Sequence, residues 1–303
     1  MKPGRSIVAA FDAAALACVR VFLPALPREA ARLAGALFGA MALLVSPERR
    51  KRSLENLRRV LPHRGAGELR RIRRRCFIQF GAGFAEVFHL HHKTRSYLRR
   101  IVGVEGLPHL AGALQKGKGA IVIGGHLSTF PVGMLALAGE GFPVAALVRA
   151  ADNRKVEAMV NDIRRAFGLS WIYVKPRREA ARRCMRWLAE GKVLWILIDQ
   201  RHRDGIVADF LGHPAQVAPG AALFALRAGP PVLPVVTLRS QNSHYRVVIG
   251  KEVPVVSTGT RELDLRTNME HFLAVLGRYI LEYPHQWTWF HKMWKVREAA
   301  LPR

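Results

Sequence analysis

The sequence predicts an α/β fold: a mixed, mainly parallel central sheet flanked by helices and preceded by a helical N-terminal arm. Two observations predict the sheet and one the arm. From residue 101 onward, short apolar runs rich in Val and Ile alternate with segments of helix length. Several of those runs pass directly into glycine pairs or polar clusters, as expected where buried strands turn out of a core. The first hundred residues lack this alternation and read as helices.

Taken in order, residues 6–26 and 28–46 are apolar-rich helical stretches and 48–75 is a basic segment. An aromatic stretch follows, in which Phe77, Phe80, Phe84 and Phe88 recur at spacings of three and four and share one helical face. That stripe reads as core packing, with a lipid-chain groove as the other reading. Strands are expected at 120–123, 144–148, 171–174, 193–198, 232–238 and 245–249. Helices are expected between them near 132–138, 154–167, 178–190 and 220–228, and a final one over 261–281. Such alternation builds a parallel or mixed sheet covered on both faces. No repeat or low-complexity linker interrupts the chain. The organisation expected is apolar, membrane-associating helices over 1–47, a basic helical segment packed on the core over 48–100, and an α/β domain over 101–303.

Charge narrows the partners. Against 22 Asp and Glu stand 48 Lys and Arg, a net charge of +26 in 303 residues, while hydrophobic residues make up 50%. Such a surface attracts nucleic acid, anionic lipid or an acidic protein. No nucleic-acid recognition motif is present and the N-terminus is apolar, so nucleic acid is not expected. The basic residues cluster at Arg49-Arg50-Lys51-Arg52, over 70–75, and at Arg177-Arg178 and Arg182-Arg183, each of which also fits a solvated helix face. The first cluster follows residues 33–47, which carry no charge yet fall short of a bilayer span. Asp12 breaks the earlier run 6–19, which argues against a signal peptide. An interfacial or shallowly inserted anchor is expected, with a buried helical hairpin as the alternative. Cys18, Cys76 and Cys184 form neither a disulfide framework nor a metal motif, which fits a reducing, cytoplasm-facing location.

Chemistry concentrates at the strand ends. Gly124-Gly125-His126 closes the run 120–123, and Pro131 opens the next helix. Ligands of open α/β sheets bind at such carboxyl ends. A helix N-terminus favours neutral imidazole, so His126 is the candidate general base, and free N–H groups there could stabilise an oxyanion. A locally hydrogen-bonded structural histidine is the other reading. No acid lies near His126 in sequence; the nearest are Glu105 and Glu140. Arg149, Asp152 and Asn153 follow a second strand, where Arg149 could grip an anion and Asp152 or Asn153 could cap a helix. Asp199 and Gln200 follow a third; Asp199 could orient a base or pair with an arginine. These five make up the candidate substrate-binding set. His213, in the segment 210–215, reads as structural. Trp287, Trp289 and Trp294 fall within eight residues, beside basic neighbours, and suit either core closure or a membrane interface, with closure preferred. No metal or other cofactor is expected.

In order along nearly the whole chain, several blocks together resemble the bacterial lipid A biosynthesis acyltransferases, the late lauroyl and myristoyl transferases and their relatives. They are Arg52 with Asn56-Leu57 and Leu61-Pro62, Gly124-Gly125-His126-Leu127-Ser128-Thr129-Phe130, Arg149 with Asp152-Asn153, Asp199-Gln200, the run 210–215, and the run 284–294. The resemblance implies a fold like that of glycerol-phosphate acyltransferases and an N-terminal anchor. It also implies a site on the cytoplasmic face of the inner membrane. The implied donor is an acyl thioester, on acyl carrier protein or coenzyme A, and the implied acceptor a hydroxyl of a lipid A precursor or related membrane lipid. His126 matches the histidine of the family's His-x4-Asp/Glu motif, and Arg149 a substrate-contacting arginine. The acid of that motif is replaced by Pro131. Either Asp199 or Asp152 takes its place in space, or His126 works unaided at reduced rate, or the chain is a catalytically impaired lipid-binding relative.

Overall fold

The structure, a computed structural model, describes residues 22–296 except 241 and 243. The apolar run 6–19 and Cys18 lie outside the described residues. Helices α1 (Arg28–Val45), α2 (Pro47–Val60), α3 (Ala66–His89) and α4 (Arg95–Ile101) come first. Then follow β1 (Val102–Glu105), α5 (Leu107–Gln115), β2 (Ala120–Gly124), α6 (Phe130–Gly139), β3 (Val144–Val148), α7 (Arg154–Ala166), β4 (Ser170–Tyr173), α8 (Arg177–Ala189) and β5 (Val193–Leu197). The chain continues through β6 (Arg201–Phe210), β7 (His213–Val217), α9 (Gly220–Ala228), β8 (Val232–Arg239), β9 (Tyr245–Ile249) and α10 (Arg261–Glu282), and a 3₁₀ turn spans Pro284–Gln286.

Seven strands form one sheet in the order β1-β9-β8-β2-β5-β3-β4. Neighbours are parallel except β8 and β9, so the mixed, mainly parallel sheet is as expected. All five residues of the central strand β2 are buried, which is why its sequence is a continuous apolar run and not an alternating one. Ile121 and Ile123 feed one core, shared with α8, α9, α10 and the tryptophan segment. Ala120 and Val122 feed the other, beneath α6 and α7.

Several elements differ from expectation. The edge strand β1 and the short helices α4 and α5 fall in a stretch with no clear apolar period. The segment 201–217, for which no strand is expected, is a hairpin standing apart from the main sheet. Its turn at Leu211-Gly212 has φ of 57° and 78°, the left-handed pair of a tight hairpin turn, with Leu where Asn or Asp is usual. The basic segment 48–75 is two helices, because residues 61–65 (Leu-Pro-His-Arg-Gly) interrupt it.

The arm packs by close approach. Ala31, Gly35 and Gly39, spaced by four, are the buried residues of α1. A Cβ on Gly35 would lie 2.4 Å from the carbonyl oxygen of Gly81, and one on Gly39 would lie 2.2 Å from that of Phe77, so glycine is what lets α1 and α3 touch. The large residues Leu33, Leu37, Phe38, Met41, Leu44 and Val45 face outward. Among the described residues no single helix is long and apolar enough to cross a membrane; α1 and α2 qualify only together and are bent by 92°. The aromatic stripe of α3 straddles a boundary: Phe77 and Phe88 are buried, Phe80 and Phe84 exposed.

Candidate active site

Strand register builds the site. Gly124, the last residue of β2, pairs with Leu197, the last of β5, and the ladder extends one bond further through Ile198 N–H to the Gly124 carbonyl at 3.0 Å. Two residues beyond each strand end stand His126 and Asp199, so adjacent parallel strands deliver them side by side at the carboxyl edge. His126 Nδ1 lies 2.7 Å from Asp199 Oδ1, and the His126 backbone N–H donates to Asp199 Oδ2 at 2.7 Å. Trp287 Nε1 donates to the same Oδ2 at 2.7 Å. Gly125 is the spacer this needs: a Cβ there would lie 2.7 Å from Leu276 and 2.9 Å from Asp199 Oδ2.

Asp199 is fully buried, whereas the His126 side chain keeps 16% exposure. Burial pushes the Asp199 carboxyl upward, but the charge of His126 and the three donated hydrogen bonds outweigh it and hold the group below the usual carboxylate range. A carboxylate accepting at Nδ1 assigns the ring proton there and leaves Nε2 as the acceptor. Gln200, exposed, fills that position, its Nε2 lying 2.9 Å from His126 Nε2. The ring of Phe130 stands 4.7 Å from that of His126, and His291 lies 5.9 Å away on another side. Burial, His126 and the nearby Arg49 and Arg52 push His291 down to about 4, so it is neutral near pH 7.

The loop after His126 is held from behind. Ser128, at φ 50°, donates its N–H to the Gln286 carbonyl at 2.6 Å, and Leu127 bridges to Trp287. Thr129 Oγ1 accepts from Tyr245 Oη at 2.9 Å and from Arg239 Nη2 at 3.2 Å. Tyr245 and Arg239 also bond Glu86, which pairs with Arg28 of α1 on its other oxygen at 3.1 Å. Glu86, Arg239, Tyr245 and Trp287 escape sequence reasoning as site residues, yet Glu86 carries a signal: a lone acid inside the apolar run 84–88.

Of the two carboxylates put forward to replace the acid missing at Pro131, Asp199 holds the imidazole and Asp152 does not. Asp152 pairs with Arg149 at 2.9 Å on the surface, and Asn153 caps α7 by accepting from the Lys155 and Val156 N–H groups. No hydrogen bond or ion pair joins Arg149, Asp152 or Asn153 to His126. Pro131 occupies the first turn of α6, where its missing N–H costs nothing. Part of the expected backbone oxyanion site is spent: the N–H groups of His126, Ser128 and Val132 are already bonded, and Pro131 has none.

The run 284–294 closes the core, with Trp287, Trp289 and Trp294 buried. Asn56 of α2 donates to the carbonyls of Trp289 and His291 at 2.7 and 2.9 Å, which fixes α2 against this segment. His213 is structural, lying 3.1 Å from the Arg59 carbonyl.

Three of the blocks quoted from the sequence, 124–130, 199–200 and 284–294, therefore meet around His126. Residues 5–296 match the family profile described as bacterial lipid A biosynthesis acyltransferase. The chain belongs to that family. A palmitoleoyltransferase of lipid A biosynthesis from Escherichia coli (strain K12) is 24% identical over 279 residues, covering 88% of this chain and 85% of its own length. A lipid A biosynthesis acyltransferase from Shigella flexneri matches with the same figures. Membership carries the coarse activity, acyl transfer in lipid A biosynthesis.

Proposed function

We propose that the chain is a membrane-associated O-acyltransferase that moves a fatty acyl chain from an acyl thioester, on acyl carrier protein or coenzyme A, to a hydroxyl of a lipid A precursor or related membrane lipid. The observation that carries this reading is the buried Asp199 on His126 Nδ1, which leaves Nε2 as a base. His126 takes the hydroxyl proton as the lipid oxygen attacks the thioester carbonyl. Asp199 offsets the imidazolium charge, the tetrahedral oxyanion collapses, the C–S bond breaks, and His126 returns the proton to the leaving thiolate. Gln200 yields its place at Nε2 to the incoming hydroxyl and turns its amide N–H to the oxyanion. Arg149, with Asp152 and Asn153, lies at the carboxyl edge and contacts an anionic part of donor or acceptor.

The exposed apolar face of α1 supports attachment to the cytoplasmic face of the inner membrane by shallow insertion. The division into a membrane-associating segment 1–47, a basic segment 48–100 and an acyltransferase domain 101–303 belongs to the same proposal. The test is turnover of labelled acyl carrier protein thioester on a lipid A precursor by full-length protein in membranes. His126→Ala is expected to lose roughly a thousandfold or more. Unchanged turnover overturns the assignment of the base. Lipid binding by the wild type with no transfer favours a lipid-binding relative impaired by the loss of the acid at Pro131.

A further inference from the structure

Arg50 and Arg58 on α2 and Arg70 on α3 stand near enough to Arg73 of α3 for their charges to act on it, and none of the four has an ion-pair partner among the described residues. The acids of this region are committed elsewhere: Glu48 to Arg52, Glu55 to Lys51 and Glu68 to Arg64. The Arg73 Nε is buried and has no hydrogen-bond partner. Burial and the like charges of Arg50, Arg70 and Arg58 all lower the Arg73 pKa, so a guanidinium is held here against its own electrostatics. Arg50, Arg58 and Arg70 are exposed around the partly buried Arg73, and a group with several negative oxygens would bridge them. The apolar outward face of α1 ends at Leu44 and Val45, five residues before Arg50, which puts lipid chains and these guanidinium groups within one short stretch of chain.

We propose that Arg50, Arg58, Arg70 and Arg73 form a binding site for the phosphate of an anionic membrane lipid, fixing how the protein sits on the bilayer. This rests on the membrane reading above, and the test separates the two. Full-length protein is floated with phosphatidylcholine vesicles and with vesicles that also contain phosphatidylglycerol. The wild type is expected to prefer the anionic vesicles. Each of Arg58→Gln, Arg70→Gln and Arg73→Gln is expected to weaken that binding about fivefold. The pair Arg182→Gln and Arg183→Gln on α8 removes two exposed positive charges elsewhere and is expected to change it little. An equal loss in both sets overturns the site in favour of general charge, and no loss at the three positions overturns it outright. Wild type that binds neither vesicle sinks the membrane reading itself. Titration with inorganic phosphate covers the other source: millimolar phosphate that binds these arginines while vesicle binding ignores their loss reassigns the site to a free phosphate. Thermal melting of Arg73→Gln is expected to be unchanged or raised, since an unpaired charge is removed. A marked fall would make Arg73 a structural residue and remove it from the site.

Discussion

The α1–α3 arm and the sheet domain obey opposite packing rules. In the domain, large apolar side chains point inward: Trp195, Trp287, Trp289, Phe167 and Phe210 are all but fully buried. Where α1 meets α3, α1 turns its small residues inward and its large ones outward, with Gly35 and Gly39 at the contact and Leu37, Phe38 and Leu44 in the open. The first rule is that of a protein folding in water. The second is that of helices whose outer solvent is lipid, where close packing of small residues replaces hydrophobic burial as the adhesive. The junction between the two regions carries a buried polar network beside the shared apolar core. Glu86 of α3 bonds Arg28 of α1 together with Arg239 and Tyr245 of the sheet, and the same network grips Thr129, three residues after His126. The arm is therefore connected through hydrogen bonds to the loop after His126.

The largest expected effect lies in the domain. Asp199→Asn keeps the shape but loses the negative charge on which the His126 imidazolium depends. Turnover is expected to fall by roughly a hundred- to ten-thousandfold, measured as labelled acyl transfer, while vesicle binding through the arm is unchanged. Turnover within a few-fold of wild type would mean that Asp199 only supports the fold.

Next comes the α1–α3 contact. Gly39→Val places branched carbon against the Phe77 carbonyl, with the first atom at 2.2 Å. An overpacked contact of this kind costs about 1–3 kcal/mol, visible as a lower melting temperature. Because Glu86 and Arg28 connect the arm to the loop after His126, turnover should fall as well. Loss of stability with full turnover would show that the arm and the site are independent.

The outward face of α1 responds in the reverse sense. Leu37→Ser with Phe38→Ser removes exposed apolar surface, so stability in solution should move by no more than about 0.5 kcal/mol. Partition onto vesicles should drop about tenfold or more, read by flotation. A large fall in melting temperature instead would mean that this face is covered by protein.

What the sequence discloses follows from the same contrast. The six strands β2, β3, β4, β5, β8 and β9 are legible because burial on both faces or alternation leaves an apolar record. The hairpin β6–β7 is not, since it stands off the main sheet and β6 opens on the polar run Arg201-His202-Arg203-Asp204, of which Arg203 and Asp204 are exposed. His126 and Asp199 are individually legible as polar residues at strand ends. Their pairing is not, because it depends on the β2–β5 register, a relation across 73 residues of sequence. The α1–α3 crossing is concealed for a different reason: an apolar helix reads the same whether its large residues face a core or a lipid. Only the glycine spacing at 35 and 39 hints at which.

The smallest expected effect separates the regions by acid. His291 is held at about 4 by burial first and then by His126, while an unfolded imidazole titrates near 6.5. Between those values the unfolded chain takes up a proton that the folded chain refuses, so stability falls as pH drops from about 6.5 to about 4. Burial lowers His285 in the same direction. Asp199, also held down, adds a loss of the same sign at lower pH, where its carboxylate is finally protonated. The arginines of α2 and α3 stay charged throughout. Melting temperature should therefore decline across this range in the wild type and decline less in His291→Gln. Binding to anionic vesicles by protein that is still folded should stay constant. Parallel melting curves for the two proteins would exclude His291 as a source of the slope. Vesicle binding that follows the same titration would mean that histidines, and not only arginines, carry the membrane contact.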